Sequence, residues 1–398
     1  MKKSMKKIAT ATVGIAAMMM MAGCSTAASA SKKGNTATGK TVKIGVNMEL
    51  SGAVAGYGEQ QKQGIELAIQ QINAKGGVKV DGKTYKFKAV YRDNKSTTSG
   101  SSSVAAQLVN NDKVQAVVGP ATTNDATASI PNVTKANVAQ ISPSATDDSY
   151  TLDKNGKVQT YVFRSCFDNS FQGETAAKFA TKNLKAKKVA IIADNSSDYG
   201  TGLAKAFKKE FSGTIVSTQY FQEGDKDFNA ILTAIKNKGF DAIYAPGYYS
   251  EIGLITKQAR EMGIDAPIIG SDGMADPKLA KIAGSSNAND IYYTTPFSTK
   301  SAESDTTVKS FMTAFKSKFG TEAPTFSALA YDSVYMVKEA IENAKSVNSA
   351  DIAKGIAKIK NMKGATGTMT VDAKHNPEKS IAIEQMNNGK VEKAITVK

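Results

Sequence analysis

Hydroxyl side chains follow two neighbouring apolar runs in the first half of the chain. Thr122 and Thr123 come shortly after one run, and Ser144 and Thr146 come shortly after the next. If the runs are parallel strands, these residues lie at loop ends and helix starts, where backbone N–H groups lack partners. Hydroxyls beside free N–H groups suit an anion such as a carboxylate. Ser and Thr are also common helix N-caps, so that alternative stays open.

One acid and three tyrosines occupy comparable positions after other runs. Asp272, Tyr199 and Tyr248 follow runs in the second half, and Tyr57 follows the first run of the chain. A carboxylate can bind an ammonium group, while tyrosines supply apolar faces with polar rims that enclose a small side chain. Together with the hydroxyls, they describe a clamp for a zwitterion. Asp272 also stands in an Asp-Gly pair, so a plain turn residue is the alternative.

Sequence motifs of common enzyme classes do not occur. The chain has no Walker motif, no Gly-x-Gly-x-x-Gly after a strand, no Gly-x-Ser-x-Gly and no His-Glu-x-x-His. The single histidine, His375, lies in a turn-like stretch and is interpreted as a surface residue. Once Cys24 is lipidated, as argued below, only Cys166 remains, as a buried small residue. We therefore expect no catalysis, no cofactor and no metal site.

The N-terminus predicts export. Four lysines precede an uncharged run over 8–23, which is shorter than the roughly 20 residues of a spanning helix. The run ends in Met-Ala-Gly-Cys24, which resembles the bacterial lipobox, so we predict a signal peptide over 1–23 and diacylglycerol on Cys24. Two acyl chains give stable membrane attachment. Residues 24–40 are rich in Ser, Thr, Ala, Gly and Lys, which is typical of a flexible tether.

The charge balance does not indicate nucleic acid as a partner. The formal charge of +15 comes from 51 Lys and Arg against 36 Asp and Glu, and four of the lysines lie in the predicted signal peptide. The other basic residues are scattered among acids without a run of like charges, as on a solvated surface. A length of 398 residues with 41% apolar content suggests about two domains.

Alternating patterns from residue 41 onward predict βαβ units with buried parallel strands. The first round predicts strands over 42–48, 87–91, 114–118 and 138–142, with helices over 59–74, 100–111 and 125–135. After a polar stretch, the second round predicts strands over 189–193, 215–221, 242–245 and 267–270, with helices over 171–184, 202–211, 229–238 and 251–262. A strand over 291–295, helices over 303–319, 327–344 and 350–359, and a hairpin over 381–397 follow. The predicted fold class is therefore α/β, with two Rossmann-like lobes.

Several motifs are more specific than these patterns. They are Leu50-Ser51-Gly52 with Tyr57-Gly58, Asn73-Ala74-Lys75-Gly76-Gly77, Gly119-Pro120, Ser142-Pro143-Ser144-Ala145-Thr146, Phe163-Arg164 and Asp198-Tyr199-Gly200. With them, the chain over 40–398 resembles the branched-chain amino acid binding proteins of ABC importers. These are the leucine/isoleucine/valine type of periplasmic-binding-protein fold I.

The resemblance implies a role for each site residue. Thr123 and Thr146 would bind the ligand carboxylate, while the Ser144 carbonyl and Asp272 would bind the ammonium. Tyr57, Tyr199, Tyr248 and Phe326 would line the side-chain pocket, and the predicted ligand-binding set also includes Thr122 and Ala145. Two positions depart from well-known members, because Thr123 replaces a Ser and Asp272 is one methylene shorter than their Glu. The shorter acid would need a shift or a water to reach the ammonium.

The resemblance also implies lobes joined by three crossovers, near Phe167, Pro296 and Lys379. Lobe 1 would hold residues 41–167 and 296–379, and lobe 2 would hold 168–295 and 380–398. A ligand held by both lobes would stabilise the closed form. The predicted protein is a lipid-anchored extracytoplasmic monomer that delivers Leu, Ile or Val to an ABC permease. The alternatives are another small ligand (a different amino acid, an amide or a short acid) or a ligand sensor that passes closure to a signalling partner.

Overall fold

The computed structural model describes residues 34–301 and 305–396. The predicted signal peptide, the predicted lipidation site Cys24 and the first part of the predicted tether lie outside the described residues. Within the described ranges, no helix is both long and apolar enough to cross a membrane. No group of three or more His, Cys, Asp and Glu side chains in those ranges could hold a metal ion.

Lobe 1 is built on a six-stranded sheet. Its strands are β1 (Thr41–Met48), β2 (Val78–Val80), β3 (Lys83–Asp93), β4 (Ala116–Val118), β5 (Ala139–Ser142) and β6 (Val162–Arg164). They lie in the order β2-β3-β1-β4-β5-β6, and all neighbours are parallel except the β2–β3 pair. Alternate β1 residues from Val42 to Met48 are fully buried, as expected for a central parallel strand.

Helices from two parts of the chain cover this sheet. The first set is α1 (Ala55–Ala74), α2 (Thr98–Asn110) and α3 (Thr123–Lys135). The later set, labelled in chain order, is α9 (Thr306–Phe319), α10 (Thr325–Ala344) and α11 (Ser349–Ile356), followed by the hairpin β12 (Met362–Gly364) and β13 (Gly367–Met369). A Cβ at Gly64 of α1 would lie 2.0 Å from the Ser327 carbonyl oxygen, so glycine permits α1 and α10 to pack closely.

Lobe 2 is built on a seven-stranded sheet. Its strands are β7 (Lys188–Asp194), β8 (Thr214–Phe221), β9 (Ala242–Tyr244), β10 (Ile268–Gly270), β11 (Ile291–Thr295), β14 (Ala382–Asn387) and β15 (Lys390–Thr396), in the order β15-β14-β11-β10-β9-β7-β8. The C-terminal β14 and β15 are antiparallel additions to a parallel sheet. Asn388 and Gly389 both have positive φ, which suits the predicted tight hairpin turn.

The helices of lobe 2 are α4 (Asn169–Lys182), α5 (Asp198–Glu210), α6 (Asn229–Lys236), α7 (Tyr249–Glu261) and α8 (Lys278–Ala283). A short 3₁₀ helix, Asp272–Met274, follows β10. In the described chain, the backbone passes between the lobes at 164–169, 295–306 and 369–382. The three predicted crossover positions fall within these stretches.

Several details differ from the sequence-based expectations. Residues 34–37 of the predicted flexible tether attach to lobe 1, because the Asn35 amide donates to the carbonyl oxygens of Val109 (2.9 Å) and Val114 (3.0 Å). Helix α9 begins at Thr306 rather than 303, because the Asp305 carboxylate caps its first turn and accepts from Thr307 N–H at 2.7 Å. The short elements β2, β6, α8, β12 and β13 were not predicted.

His375 is buried, so its interpretation as a surface residue is wrong. Its ring stacks on Phe163 with centroids 4.1 Å apart, and Nδ1 lies 3.0 Å from the Val162 carbonyl oxygen. Burial lowers the pKa of His375. The turn that carries the histidine folds against β6, a strand too short to be recognised in the sequence.

Candidate functional site

The carboxyl ends of strands from both lobes face each other across a cleft. Loops after β1, β4 and β5 form one wall, and the residues after β7, β9 and β10 form the other, which is where ligands gather in open α/β sheets. Between the walls lies a small, narrow cavity, lined by Tyr57, Ala121, Thr122, Ser144, Tyr199, Tyr248, Asp272, Gly273 and Phe326. Seven of these nine residues were predicted from the sequence, and Ala121 and Gly273 were missed.

Two buried threonine hydroxyls mark the lobe 1 wall. The Oγ1 atoms of Thr123 and Thr146 are buried and have no hydrogen-bond partner among the described residues. Thr123 is the first residue of α3, where the helix leaves backbone N–H groups free. An unpaired buried hydroxyl costs about 1–3 kcal/mol. These donors are therefore arranged for an acceptor that a ligand would bring.

Glu49, which the sequence analysis did not select, shapes the same wall. Its carboxylate accepts from the backbone N–H groups of Ala121 (3.0 Å) and Thr122 (3.2 Å), and the Thr122 hydroxyl lies 3.4 Å away. Burial raises the pKa of Glu49, while burial and the adjacent Glu49 carboxyl raise the pKa of Asp125 to about 8. Glu49 therefore holds the β4–α3 loop in place and leaves the Thr123 hydroxyl free for a ligand.

Asp272 provides an anion on the lobe 2 wall. It is 2% exposed, and no basic nitrogen lies within 4.0 Å of its carboxylate in the part of the chain that is described. The Tyr199 hydroxyl donates to Asp272 Oδ1 at 2.8 Å and accepts from Gly273 N–H at 2.8 Å. Burial raises the pKa of Asp272 to about 6. A buried carboxylate held in one orientation by a tyrosine can bind a ligand ammonium group.

Aromatic rings from both lobes enclose the space between these polar groups. Tyr199 and Tyr248 stack with centroids 5.0 Å apart, and Tyr57 packs on Phe326 at 4.7 Å. Tyr57 of lobe 1 also meets Tyr248 of lobe 2 edge-on at 5.8 Å, and its hydroxyl donates to the Gly273 carbonyl oxygen at 2.5 Å. The rings give the cavity an apolar lining, which suits a small apolar side chain.

Direct hydrogen bonds between the lobes hold the cleft closed. Gly56 N–H donates to the Tyr249 hydroxyl at 3.1 Å, and the Gln60 amide donates to Asp276 Oδ2 at 2.8 Å. Neither Tyr249 nor Gln60 lines the small cavity. We call these two hydrogen bonds the closing contacts. They join the first turns of α1 to lobe 2 without involving the cavity itself.

A family model described as "Periplasmic binding protein" matches residues 41–390. The chain belongs to the periplasmic binding protein family. It is 34% identical over 333 residues to the Leu/Ile/Val-binding protein homolog 3 of Brucella melitensis, covering 83% of this chain and 86% of that protein.

Two solved structures of this family are also similar. The substrate binding protein LivJ of Streptococcus pneumoniae, a branched-chain amino acid transporter component solved with isoleucine, is 46% identical. It has a TM-score of 0.84 and covers 90% of this chain and 99% of its own. The leucine binding protein LivK of Thermotoga maritima is 32% identical, with a TM-score of 0.82 and coverage of 89% and 99%. The predicted family and fold class are confirmed.

Most residues that line the cavity of this periplasmic binding protein were predicted from the sequence. The predicted residues Thr123, Ala145 and Thr146 do not line the cavity, but all three are buried within two positions in sequence of residues that do. Glu49 and Tyr249 were missed, although each had a sequence signal. Glu49 directly follows β1, and Tyr249 stands beside Tyr248 at the start of α7.

Proposed function

We propose that this protein binds a branched-chain amino acid (Leu, Ile or Val) in the interlobe cleft and delivers it to an ABC permease. One observation carries the proposal. Among the described residues, the hydroxyls of Thr123 and Thr146 are buried without partners beside the lobe 1 lining of the cavity. On the lobe 2 lining, no basic nitrogen in that part of the chain pairs with the Asp272 carboxylate, and aromatic rings line the space between. A zwitterion with an apolar side chain is complementary to that arrangement. The relatives named for Leu, Ile and Val, and the isoleucine complex of LivJ, support the same ligand class.

Each wall of the cleft has its own part in this function. Thr123 and Thr146 donate to the ligand carboxylate, while Asp272 and the Ser144 carbonyl oxygen bind the ammonium. A few charge-assisted hydrogen bonds at about 1.5–3 kcal/mol each, plus about 1.5–3 kcal/mol for the buried side chain, oppose an association cost of several kcal/mol. The balance corresponds to a dissociation constant near micromolar.

We also propose where the protein works and what happens to its ligand. The protein works outside the cytoplasm as a monomer, held at the membrane by a lipid on Cys24, and it releases its ligand unchanged. The sequence around Cys24 and the family membership support this placement.

Titration calorimetry tests the proposed function. The protein, truncated before Cys24, is unfolded, stripped of bound ligand, refolded and titrated with leucine, isoleucine, valine and then the other amino acids. Saturable binding near micromolar for the branched set is the expected result. Absence of heat with every amino acid would overturn the proposal, and amides and short acids would then be screened.

Leucine affinity should fall in acid. The ammonium group pairs with ionised Asp272, whose pKa is raised to about 6 by burial. Below that pH, a proton must leave the carboxyl before the ammonium binds, so affinity should drop toward about tenfold per pH unit. Between pH 6 and 7 it should level off. Calorimetry from pH 4 to 7 checks this dependence, and Asp272→Asn should bind weakly with a flat profile over the same range.

Loss of a closing contact should weaken binding without altering the pocket. Tyr249→Phe removes the acceptor of Gly56 N–H, which disfavours only the closed form. Because the ligand needs that form, we expect the leucine dissociation constant to rise about 3- to 10-fold. Titration calorimetry measures the change, with Tyr220→Phe on the exposed surface of lobe 2 as the matched control. Equal affinities for both variants would contradict a role in closure.

A further inference from the structure

Arg164 is a buried cation that forms no close ion pair with another described residue. Its side chain, at the end of β6, is fully buried, and no carboxylate oxygen lies within 4.0 Å of it in the ranges that the structure covers. The guanidinium packs beside the Tyr150 ring at 5.4 Å. Burying a charge is unfavourable unless hydrogen bonds or an opposite charge compensate for it. The charge of Arg164 acts on the Asp168 carboxyl, whose pKa burial nevertheless raises, so a ligand anion nearby would add favourable compensation.

The guanidinium binds the loop that carries Thr146, one of the two residues proposed to bind the ligand carboxylate. Nη1 donates to the Ala145 carbonyl oxygen at 3.0 Å, and Nη2 donates to the Asp147 carbonyl oxygen at 2.7 Å. These two carbonyls flank Thr146 in sequence. The planar fork of an arginine holds two such acceptors in a fixed geometry, which a lysine cannot do. Arg164 thus fixes the backbone on both sides of Thr146.

The direction of the Ala145–Thr146 peptide links this fork to the cleft. In a trans peptide the C=O and the N–H point in opposite directions. Since the Ala145 C=O is turned toward Arg164, the Thr146 N–H is turned away from it. This N–H forms no hydrogen bond within the described residues, and the Thr146 hydroxyl is also unpartnered. A cation at the carbonyl end polarises the peptide and strengthens the N–H as a donor.

We propose that Arg164 is a positioning residue that makes the cleft selective for a carboxylate. It acts through the peptide between Ala145 and Thr146, and it supplies positive charge on the lobe 1 side opposite the negative charge of Asp272. The ligand carboxylate, on the far side of that peptide, is the anion that compensates the buried guanidinium. This inference rests on the proposed amino-acid-binding function and adds the residue that selects one end of the zwitterion.

The test compares leucine with leucinamide, which keeps the ammonium and side chain but lacks the carboxylate. Arg164→Gln should weaken leucine binding about 10- to 100-fold and leucinamide binding by no more than about threefold. Asp272→Asn is the matched control. Both compounds carry the ammonium group, so their affinities for this variant should fall by similar factors. Titration calorimetry gives the dissociation constants of leucine. Competition against leucine at millimolar leucinamide gives the weaker dissociation constants of leucinamide.

A merely structural role would lower both affinities together and leave their ratio unchanged, and that result would overturn the inference. If wild-type protein binds no amino acid, the proposed function itself fails, which is a separate outcome. If Arg164→Gln does not fold, Arg164→Lys is tested instead. It should reduce the ratio of leucine affinity to leucinamide affinity about threefold or more. In wild-type protein, leucine should also shift the side-chain NMR signals of Arg164, and leucinamide should leave them in place. Equal shifts would count against the proposal.

Discussion

Asp272→Ala should weaken leucine binding by about 100- to 1,000-fold, the largest effect expected of any single substitution in the cleft. The ligand ammonium would be buried beside the stacked rings of Tyr199 and Tyr248 with no negative charge to pair with. Removing one partner of a buried charge pair costs about 2–5 kcal/mol, most of it from the charge left behind. The Tyr199 hydroxyl would lose its carboxylate acceptor at the same time.

Titration calorimetry of ligand-stripped protein measures this loss. Asp265→Asn is a suitable control, because Asp265 is an exposed acid on the same lobe and its substitution changes net charge without touching the cleft. The control should bind leucine with wild-type affinity. If Asp272→Ala bound leucine within about threefold of wild type, the ammonium would have another partner and the proposed clamp would be wrong.

Lys379→Met should lower the free energy of unfolding by about 3–5 kcal/mol. Lys379 Nζ lies 3.6 Å from Asp332 Oδ2, and the two side chains are 1% and 0% exposed. Burial raises the pKa of Asp332 and lowers the pKa of Lys379, while the attraction between the two charges opposes both shifts. Each buried charge is therefore stabilised by the other. Asp332 also accepts from the N–H groups of Ala365 (2.6 Å) and Thr366 (3.0 Å). The pair therefore ties α10 to the third crossover.

Urea unfolding followed by far-ultraviolet circular dichroism measures this loss. The matched control is Lys338→Met. It breaks the ion pair between Lys338 Nζ and Glu342 Oε1, which lie 2.7 Å apart on α10, the helix that carries Asp332. Because that pair is partly exposed, its loss should change stability by no more than about 0.5 kcal/mol. A similar change in the two variants would show that burial does not set the strength of the Lys379–Asp332 pair. The double variant Asp332→Asn with Lys379→Met should recover part of the loss.

The regular elements could be predicted because their patterns are local. Strand β7 contains a continuous apolar run, β1 places apolar residues at alternate positions, and each strand is followed by a helix. The missed strands β2, β6, β12 and β13 have three residues each, too few to show a period. Helix α1 starts at Ala55 rather than at residue 59. Its Gly-Tyr-Gly segment has low helix propensity, and docking on lobe 2 compensates for it.

The polar residues of the cleft were predictable from their positions at strand ends, but their partners were not. Thr123, Thr146 and Asp272 are recognisable because parallel strands bring their carboxyl ends to one edge. Glu49 and Arg164 act on the loops that carry these residues, through contacts 72 and 19 positions away in sequence. His375 was misjudged for the same reason, since its stacking partner Phe163 lies far from it in the chain. Contacts of this range depend on tertiary packing rather than on local sequence.

The ring cluster around the cleft has a spectroscopic consequence. The chain contains 14 tyrosines and no tryptophan, so tyrosine dominates its near-ultraviolet absorption and its intrinsic emission. Tyr57 of lobe 1 meets Tyr248 and Tyr249 of lobe 2 edge-on, at 5.8 and 5.1 Å. Opening the cleft separates these rings and transfers Tyr57 from a buried environment into water. The protein thus carries its own optical reporter of domain movement, and stopped-flow mixing can follow the opening and closing rates without an attached dye.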